Sequence, residues 1–182
     1  MGIPLHAKAA EYQKRDIFAG IRHFSELERR IEALNDERQR GDAFEVFAEA
    51  YLATQRPYDA HAIWPQTTAP VSMLQSLGLT VRDNGVDGVV RSPVGLISVY
   101  QVKFRSGRAA LTWRELSTFI GLADSSEIHF RILFSNSDDI PPLMNDRRGF
   151  FCIRGADLER LEESDFVAIE RWLIGAPVDI QK

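Results

Sequence analysis

A strand, a helix and a second strand follow one another between residues 95 and 135, and this order constrains the fold more than any other feature of the sequence. The run from Gly95 to Phe104 is apolar and rich in β-branched residues, which predicts a strand. "TWRELSTFIGLAD" has the helical period, with a capping box formed by Thr112 and Glu115, and "HFRILFSNS" is typical of a buried strand. A crossover of this kind is right-handed and lays its two strands parallel.

A β-hairpin is predicted immediately before this crossover. Val89 and Val90 form its first strand, the turn lies at Ser92-Pro93, and another turn is predicted at Asp83-Asn84-Gly85. "GFFCIRG" adds a strand after the crossover, and a short extended piece is expected around residues 62–64. Because the hairpin is antiparallel and the crossover parallel, the sequence predicts an α/β fold with a mixed central sheet flanked by helices.

Three further helices are predicted at the two ends of the chain. The first begins near Ser25, which forms a capping box with Glu28, and the second is "GDAFEVFAEAYLATQ", capped by Asp42. The last is capped by Ser164 and ends at Gly175. We therefore divide the sequence into an N-terminal helical arm, residues 1–40, and a main domain, residues 41–182.

Composition excludes several classes of protein. A chain of 182 residues suits one domain with a substantial core. The net charge of −4 argues against a protein that coats nucleic acid by bulk charge, and no apolar run is long enough for a membrane span. One cysteine, Cys152, excludes an intramolecular disulfide framework, and the N-terminus does not resemble a secretory signal. We expect a protein of the cytoplasm with no membrane partner.

The stretch "GVDGVVRSPVGLISVYQVKFR" carries the residues that predict chemistry. Gln101 and Lys103 point to the same side of their strand, since successive side chains alternate, and Asp87 lies at the mouth of the neighbouring strand of the hairpin. A carboxylate and an amide oxygen suit Mg²⁺, and an ammonium group can orient a water or stabilise a phosphorane. The three residue types together predict metal-assisted hydrolysis of a phosphodiester.

Asp87 and Lys103 also have structural interpretations, and so does Glu45 of the second predicted helix. Asp87 fits an Asp-Gly turn, and the Lys103 ammonium could extend past an edge strand into water. Glu45, three residues after Asp42, fits the second position of a capping box. Glu49, one helical turn after Glu45, is a second acid on nearly the same face of this helix and is the alternative to Glu45 as a functional acid.

Basic residues without a neighbouring acid cluster just after this strand. Lys103, Arg105, Arg108 and Arg114 lie in a run from Val99 to Arg114 that contains no aspartate or glutamate. We predict contacts of the three arginines with DNA phosphates; the alternative is that they are solvated surface charges. The four histidines show no zinc-ligand spacing.

"GVDGVV" followed by "VYQVKFR" resembles the signature of the PD-(D/E)xK nuclease superfamily, in its Mrr-like branch with Gln before x-Lys. The resemblance extends from "GDAFEVFAEAYL" to "FRILFSNS" and is strongest to the N-terminal nuclease domain of helicase-containing type I single-polypeptide (type ISP) restriction enzymes. It implies a restriction-endonuclease-like fold for residues 41–182. It also implies Asp87 as the principal metal ligand, Gln101 as the second ligand, Lys103 as the catalytic lysine and Glu45 as the first-helix acid that supports the metal.

From this resemblance we expect a Mg²⁺-dependent DNA endonuclease, with Mn²⁺ as a substitute metal. We expect double-stranded DNA as substrate, an ATP-driven helicase or translocase domain in the same polypeptide, and dimerisation on DNA. The alternative is a catalytically weak module of the same fold that binds DNA or assembles with a partner. Two departures favour it: Gln101 is neutral where most of the superfamily has a carboxylate, and no proline directly precedes Asp87.

Overall fold

A five-stranded mixed sheet forms the centre of the computed structural model, which describes residues 4–55, 60–80, 85–145 and 147–178. The strands lie in chain order: β1 (Ala62–Pro65), β2 (Gly88–Arg91), β3 (Ile97–Lys103), β4 (Phe130–Ser135) and β5 (Phe150–Ile153). β1, β2 and β3 pair antiparallel, whereas β3, β4 and β5 pair parallel. The predicted hairpin, the parallel crossover and the extended piece near residue 62 are therefore confirmed. The predicted turn at Asp83-Asn84 lies outside the described residues.

Helices cover both faces of this sheet. They are α1 (Ala9–Lys14), α2 (Phe24–Glu32), α3 (Glu37–Thr54), α4 (Val71–Ser76), α5 (Trp113–Leu122), α6 (Gly155–Leu158) and α7 (Glu163–Leu173). Alternate residues of β3 join different hydrophobic clusters: Tyr100 packs with α3 and α7, and Val99 packs with Phe119 of α5. The predicted α/β fold, a mixed central sheet flanked by helices, is confirmed.

The capping residues predicted from the sequence are correct for α5 and wrong for α2 and α7. The capping box of Thr112 and Glu115 is present at the start of α5. The one predicted for Ser25 is wrong: α2 begins at Phe24 after His23, without a side-chain cap, and Glu28 binds elsewhere. The last helix begins at Glu163 after a cap at Glu162, so the predicted cap at Ser164 is also wrong.

The start of α3 differs most from its prediction. This helix begins at Glu37, and the side chain of Asp36 caps it by accepting a hydrogen bond from the Gln39 backbone amide. Asp42 is inside the helix and does not cap it. The predicted domain boundary between residues 40 and 41 consequently falls within a continuous helix.

The N-terminal helices belong to the main hydrophobic core. Tyr12 of α1 and both Phe24 and Ile31 of α2 are buried in the same cluster as Phe44 and Phe47 of α3. The ring of Phe24 stacks on that of Phe47 with centroids 6.0 Å apart. Within the described ranges, every helix is too short or too polar to cross a membrane.

Candidate functional site

Asp87 extends the pairing of β2 with β3 by one residue. Its backbone N–H donates to the Tyr100 carbonyl at 2.8 Å, and its own carbonyl accepts a hydrogen bond from the Gln66 N–H at 2.8 Å. The side-chain Oδ2 accepts a hydrogen bond from the Val102 N–H at 2.6 Å. Two of these bonds hold Asp87 beside β3 and the third joins it to the residue after β1, so the Asp-Gly turn considered for it is not formed.

The glycine after Asp87 is required by close packing. A Cβ atom on Gly88 would lie 2.2 Å from the ring of Tyr100, far inside van der Waals contact. Tyr100 is fully buried beneath α3, and burial raises the pKa of its hydroxyl, with the carboxylates of Glu49, Asp87 and Glu45 adding to the shift. Asp87 therefore supplies the carboxylate, and Gly88, which has no side chain, leaves room for the Tyr100 ring.

The pKa of Asp87 depends on its burial and on nearby charged groups, among them Glu45, Lys103 and His6. Burial is the main cause that raises the pKa of the Asp87 carboxyl to about 7, and the Glu45 carboxylate raises it further. The Val102 N–H and then the charge of Lys103 act in the opposite direction, as does the charge of His6 when its ring is protonated. Glu45 and Lys103 thus each lie within electrostatic range of Asp87.

Gln101 lies between the two residues of β3 that bond Asp87: the Tyr100 carbonyl accepts from the Asp87 N–H, and the Val102 N–H donates to the Asp87 carboxylate. Gln101 is 1% exposed, and its Oε1 has no hydrogen-bond partner within the described part of the chain. A buried amide oxygen without a partner is costly, so this atom is suited to a ligand. Lys103, two residues later, shares its side of β3 and is partly exposed.

The two acids of α3 have different environments. Glu49 is fully buried, and its two oxygens accept hydrogen bonds from the backbone N–H groups of Leu5 at 2.7 Å and His6 at 3.2 Å. Glu45 is partly exposed, and its Oε2 lies 3.0 Å from His6 Nε2. The capping interpretation of Glu45 is wrong, because Asp42 does not begin the helix.

His6 is the site residue that sequence reasoning missed. It contacts Glu45 and acts on the charge of Asp87, although it lies 39 positions before Glu45 in the chain. No motif surrounds it, and the segment that carries it has no strong helical or strand period. Its position in the site depends on how residues 4–8 pass over α3, which the sequence does not show.

The three arginines predicted to bind DNA differ in availability. The Arg108 guanidinium binds both oxygens of Glu28, with Nε–Oε1 and Nη2–Oε2 distances of 2.8 Å, and Glu159 at 2.6 Å. Arg105 is paired with Glu115, whereas Arg114 is exposed and forms no ion pair with any described residue. A DNA phosphate could reach Arg105 or Arg108 only by competing with these carboxylates.

The ligand set available for a metal is a mixed one. Across the described ranges, no group of three or more His, Cys, Asp or Glu side chains is arranged to hold a metal ion. Two carboxylates and one amide oxygen remain, from Asp87, Glu45 and Gln101. The unpartnered Oε1 of Gln101 and the raised pKa of Asp87 both fit a divalent cation, since it would satisfy the first and offset the negative charge at the second.

Comparison with known proteins gives a likeness at the level of fold. No protein-family profile matches the sequence, and no curated protein matches it. Among solved structures, the chain is similar to the ATP-dependent type ISP restriction-modification enzyme LlaBIII bound to DNA, with a TM-score of 0.52 and 21% identity. The match covers 66% of this chain and 8% of that enzyme. The chain therefore shares the fold of a small part of a restriction enzyme, which agrees with the restriction-endonuclease-like fold.

Proposed function

We propose that this chain is a Mg²⁺-dependent DNA endonuclease domain of the PD-(D/E)xK superfamily, in its Mrr-like branch. The observation that carries the proposal is the buried, unpartnered Oε1 of Gln101, which lies between the two residues of β3 that bond Asp87, together with the Asp87 pKa raised to about 7. An acid and an amide that are costly without a cation are better explained by a metal site than by packing.

Asp87, Gln101 and Glu45 would hold the metal, and Mn²⁺ would substitute for Mg²⁺. A bound Mg²⁺ would supply a water of lowered pKa and a positive charge beside the phosphate. The Lys103 ammonium donates hydrogen bonds to the attacking water or to the phosphate oxygens, which orients the first and stabilises negative charge on the second. Glu45 adds a carboxylate from the opposite side, on α3.

The similarity to LlaBIII supports the wider context of this proposal. That enzyme is ATP-dependent, acts in restriction and modification, and was solved bound to DNA. Because the match spans only 8% of it, we propose that this chain is the nuclease module of a larger restriction or DNA-processing enzyme of the cytoplasm. Double-stranded DNA is the substrate, an ATP-driven helicase domain is the partner in the same polypeptide, and dimerisation on DNA supplies the second cut.

For DNA contacts we propose Arg114 first, because it is exposed and unpaired within the described structure. Arg105 is second, since a phosphate would replace only the Glu115 carboxylate. Arg108 would have to leave two carboxylates, so its contact with DNA requires the segment around it to rearrange.

A second candidate function is a catalytically weak module that binds DNA. The neutral Gln101 favours it, because an amide oxygen holds Mg²⁺ less strongly than a carboxylate does. In that case the chain would bind DNA, and divalent metals would produce no cleavage that depends on Asp87.

Nicking of supercoiled plasmid with Mg²⁺ or Mn²⁺ tests the proposal. We expect Lys103→Ala and Asp87→Ala each to reduce cleavage by about 10²-fold or more, because each removes an interaction with the reacting groups. DNA binding by Lys103→Ala should fall only a few-fold, since one phosphate contact is a small part of the electrostatic total. Lys103→Arg should not restore activity, because a planar guanidinium does not replace a compact ammonium.

Matched surface variants provide the controls. Lys14→Ala and Asp124→Ala each remove an exposed residue of the same type and should cleave as the unmodified protein does. Full activity of Lys103→Ala, or an equal loss of binding and cleavage, would contradict the nuclease proposal. Binding without any cleavage dependent on Asp87 would establish the second candidate.

A further inference from the structure

The N-terminal segment of residues 4–8 is fastened to α3 beside the proposed metal site. Glu49 accepts hydrogen bonds from the backbone N–H groups of Leu5 and His6, at 2.7 and 3.2 Å. These bonds involve the main chain of the segment and do not need the imidazole. The His6 side chain nevertheless turns toward Glu45 and is only 11% exposed, with Nε2 at 3.0 Å from Oε2.

The hydrogen bonds of His6 determine which of its nitrogens carries the proton. Nδ1 lies 3.2 Å from the backbone N–H of Lys8, which can only donate, so Nδ1 is the acceptor. In the neutral ring the proton is then on Nε2, and Nε2–H donates to Glu45 Oε2. The other Glu45 oxygen, Oε1, has no hydrogen bond within the described residues.

We propose that His6 is a positioning residue of the metal site: its Nε2–H holds one oxygen of Glu45 and leaves the other free to bind the cation. The inference rests on the proposed function, because it assigns Glu45 to the metal. A carboxylate on an α-helix can adopt several rotamers, and a hydrogen bond from a second residue selects one of them. Partners of this kind orient metal ligands in many proteins, and their removal costs about 10- to 100-fold in metal affinity.

Two substitutions separate the two nitrogens of His6. Gln places an N–H₂ donor near the position of Nε2, so His6→Gln keeps the donor to Glu45. Asn places its amide near the position of Nδ1, so His6→Asn keeps an acceptor for the Lys8 N–H and loses the donor. The pair therefore tests the bond to Glu45 with similar changes in size and polarity.

Calorimetric titration of the DNA-free protein with Mg²⁺ is the first measurement. We expect His6→Asn to bind Mg²⁺ about 10-fold more weakly or worse, and His6→Gln to remain within about 3-fold of the unmodified protein. His129→Asn, at an exposed histidine just before β4, is the control and should not differ from the unmodified protein. Equal affinity of His6→Asn and the unmodified protein, or an equal loss in both His6 variants, would overturn the inference.

Two further measurements do not involve a metal. The ¹⁵N chemical shifts of the His6 ring should show the Nε2–H tautomer in the metal-free protein, and the opposite tautomer would overturn the inference. The melting temperature of metal-free His6→Asn should stay within a few degrees of the unmodified protein, because Glu49 holds the segment through its backbone. A large fall would show that the imidazole is structural and would also overturn it.

The outcome for the unmodified protein distinguishes this inference from the proposed function. If the unmodified protein shows no Mg²⁺ binding that is lost in Asp87→Ala, the metal site and the role of His6 fail together. If that binding is present and His6→Asn retains it in full, only the role of His6 fails.

Discussion

At the scale of single residues, Asp87 carries its negative charge at a cost that the fold imposes. Its carboxyl is desolvated and lies near Glu45, and these two causes outweigh the Val102 N–H and the charges of Lys103 and His6. The pKa is consequently raised from 3.8 to about 7. Without a cation, the folded protein therefore favours the protonated form of this residue below about pH 7.

This shift predicts how stability depends on pH. Between about pH 4 and pH 7 the folded protein binds a proton on Asp87 that the unfolded chain has released, so the free energy of unfolding should fall as pH rises through this window. The contribution is fully present below about pH 4 and is lost above about pH 7. Asp87→Asn should remove this part of the slope.

Urea unfolding of the metal-free protein at a series of pH values measures the effect. Asp124→Asn changes an exposed acid and serves as the control, which should keep the slope of the unmodified protein. An identical slope in Asp87→Asn and the unmodified protein would contradict a raised pKa of Asp87.

At the scale of elements, the end of β4 holds the chain that leaves β3. Ser135 Oγ donates to the Lys103 carbonyl at 2.8 Å. Asn136 accepts from the Arg105 N–H at 2.7 Å and donates to the Arg105 carbonyl at 2.8 Å, so its amide imitates a neighbouring strand. Its Nδ2 also donates to Glu28 at 2.9 Å. These buried side chains continue the sheet pairing beyond the last residue of β3.

Asn136→Ala should therefore affect both stability and catalysis. It leaves a backbone N–H and a carbonyl of Arg105 without their partners, and we expect a loss of about 3 kcal/mol in urea unfolding. Cleavage should fall more than DNA binding does, because the Asn136 side chain no longer holds the backbone that follows Lys103 at the end of β3.

Asn35→Ala, at an exposed asparagine whose side chain has no hydrogen bond to a described residue, is the matched control and should stay within about 0.5 kcal/mol of the unmodified protein. A change of similar size in Asn136→Ala would show that the Arg105 backbone finds other partners and that this network is not needed.

The elements also show what a sequence can predict. The hairpin and the crossover were predicted correctly, because each depends on signals that are adjacent in the chain. Ser25 with Glu28 and Thr112 with Glu115 have the same capping pattern, yet only the second forms a capping box. Glu28 instead accepts a hydrogen bond from Arg108, which lies 80 residues away in the sequence. No local pattern can indicate such a contact.

The candidate site divides in the same way. Asp87 and Lys103 lie on one hairpin, so the strand order was enough to bring the Lys103 charge near Asp87, whereas the metal site formed with Gln101 stays a prediction. Glu45 was placed by resemblance to a family, and His6 was not found at all, because its position depends on how residues 4–8 pass over α3. The acid on α3 and the histidine require tertiary packing that spans the chain.

At the scale of the whole molecule, the N-terminal arm and the rest of the chain share one hydrophobic core. Phe24 packs against the rings of both Phe44 and Phe47, at centroid distances of 6.5 and 6.0 Å. Glu28 of α2 is bound to Arg108, which also binds Glu159 beyond α6. The division into an arm of residues 1–40 and a separate domain predicts two units, whereas these contacts predict one cooperative unit.

Unfolding experiments distinguish these two possibilities. We expect far-ultraviolet circular dichroism and tryptophan fluorescence to report a single coincident transition in urea, because the helices of the arm cannot leave without exposing the core of α3. Phe24→Ala should destabilise that transition by about 3–5 kcal/mol, as for other buried phenylalanines, whereas Val167→Ala on the exposed side of α7 should change it little. Deletion of residues 1–35, which keeps the Asp36 cap of α3, should yield a chain without a cooperative transition. A cooperative transition of unchanged midpoint in the deleted chain would show that residues 36–182 fold on their own and that the segment before α3 is a separate unit.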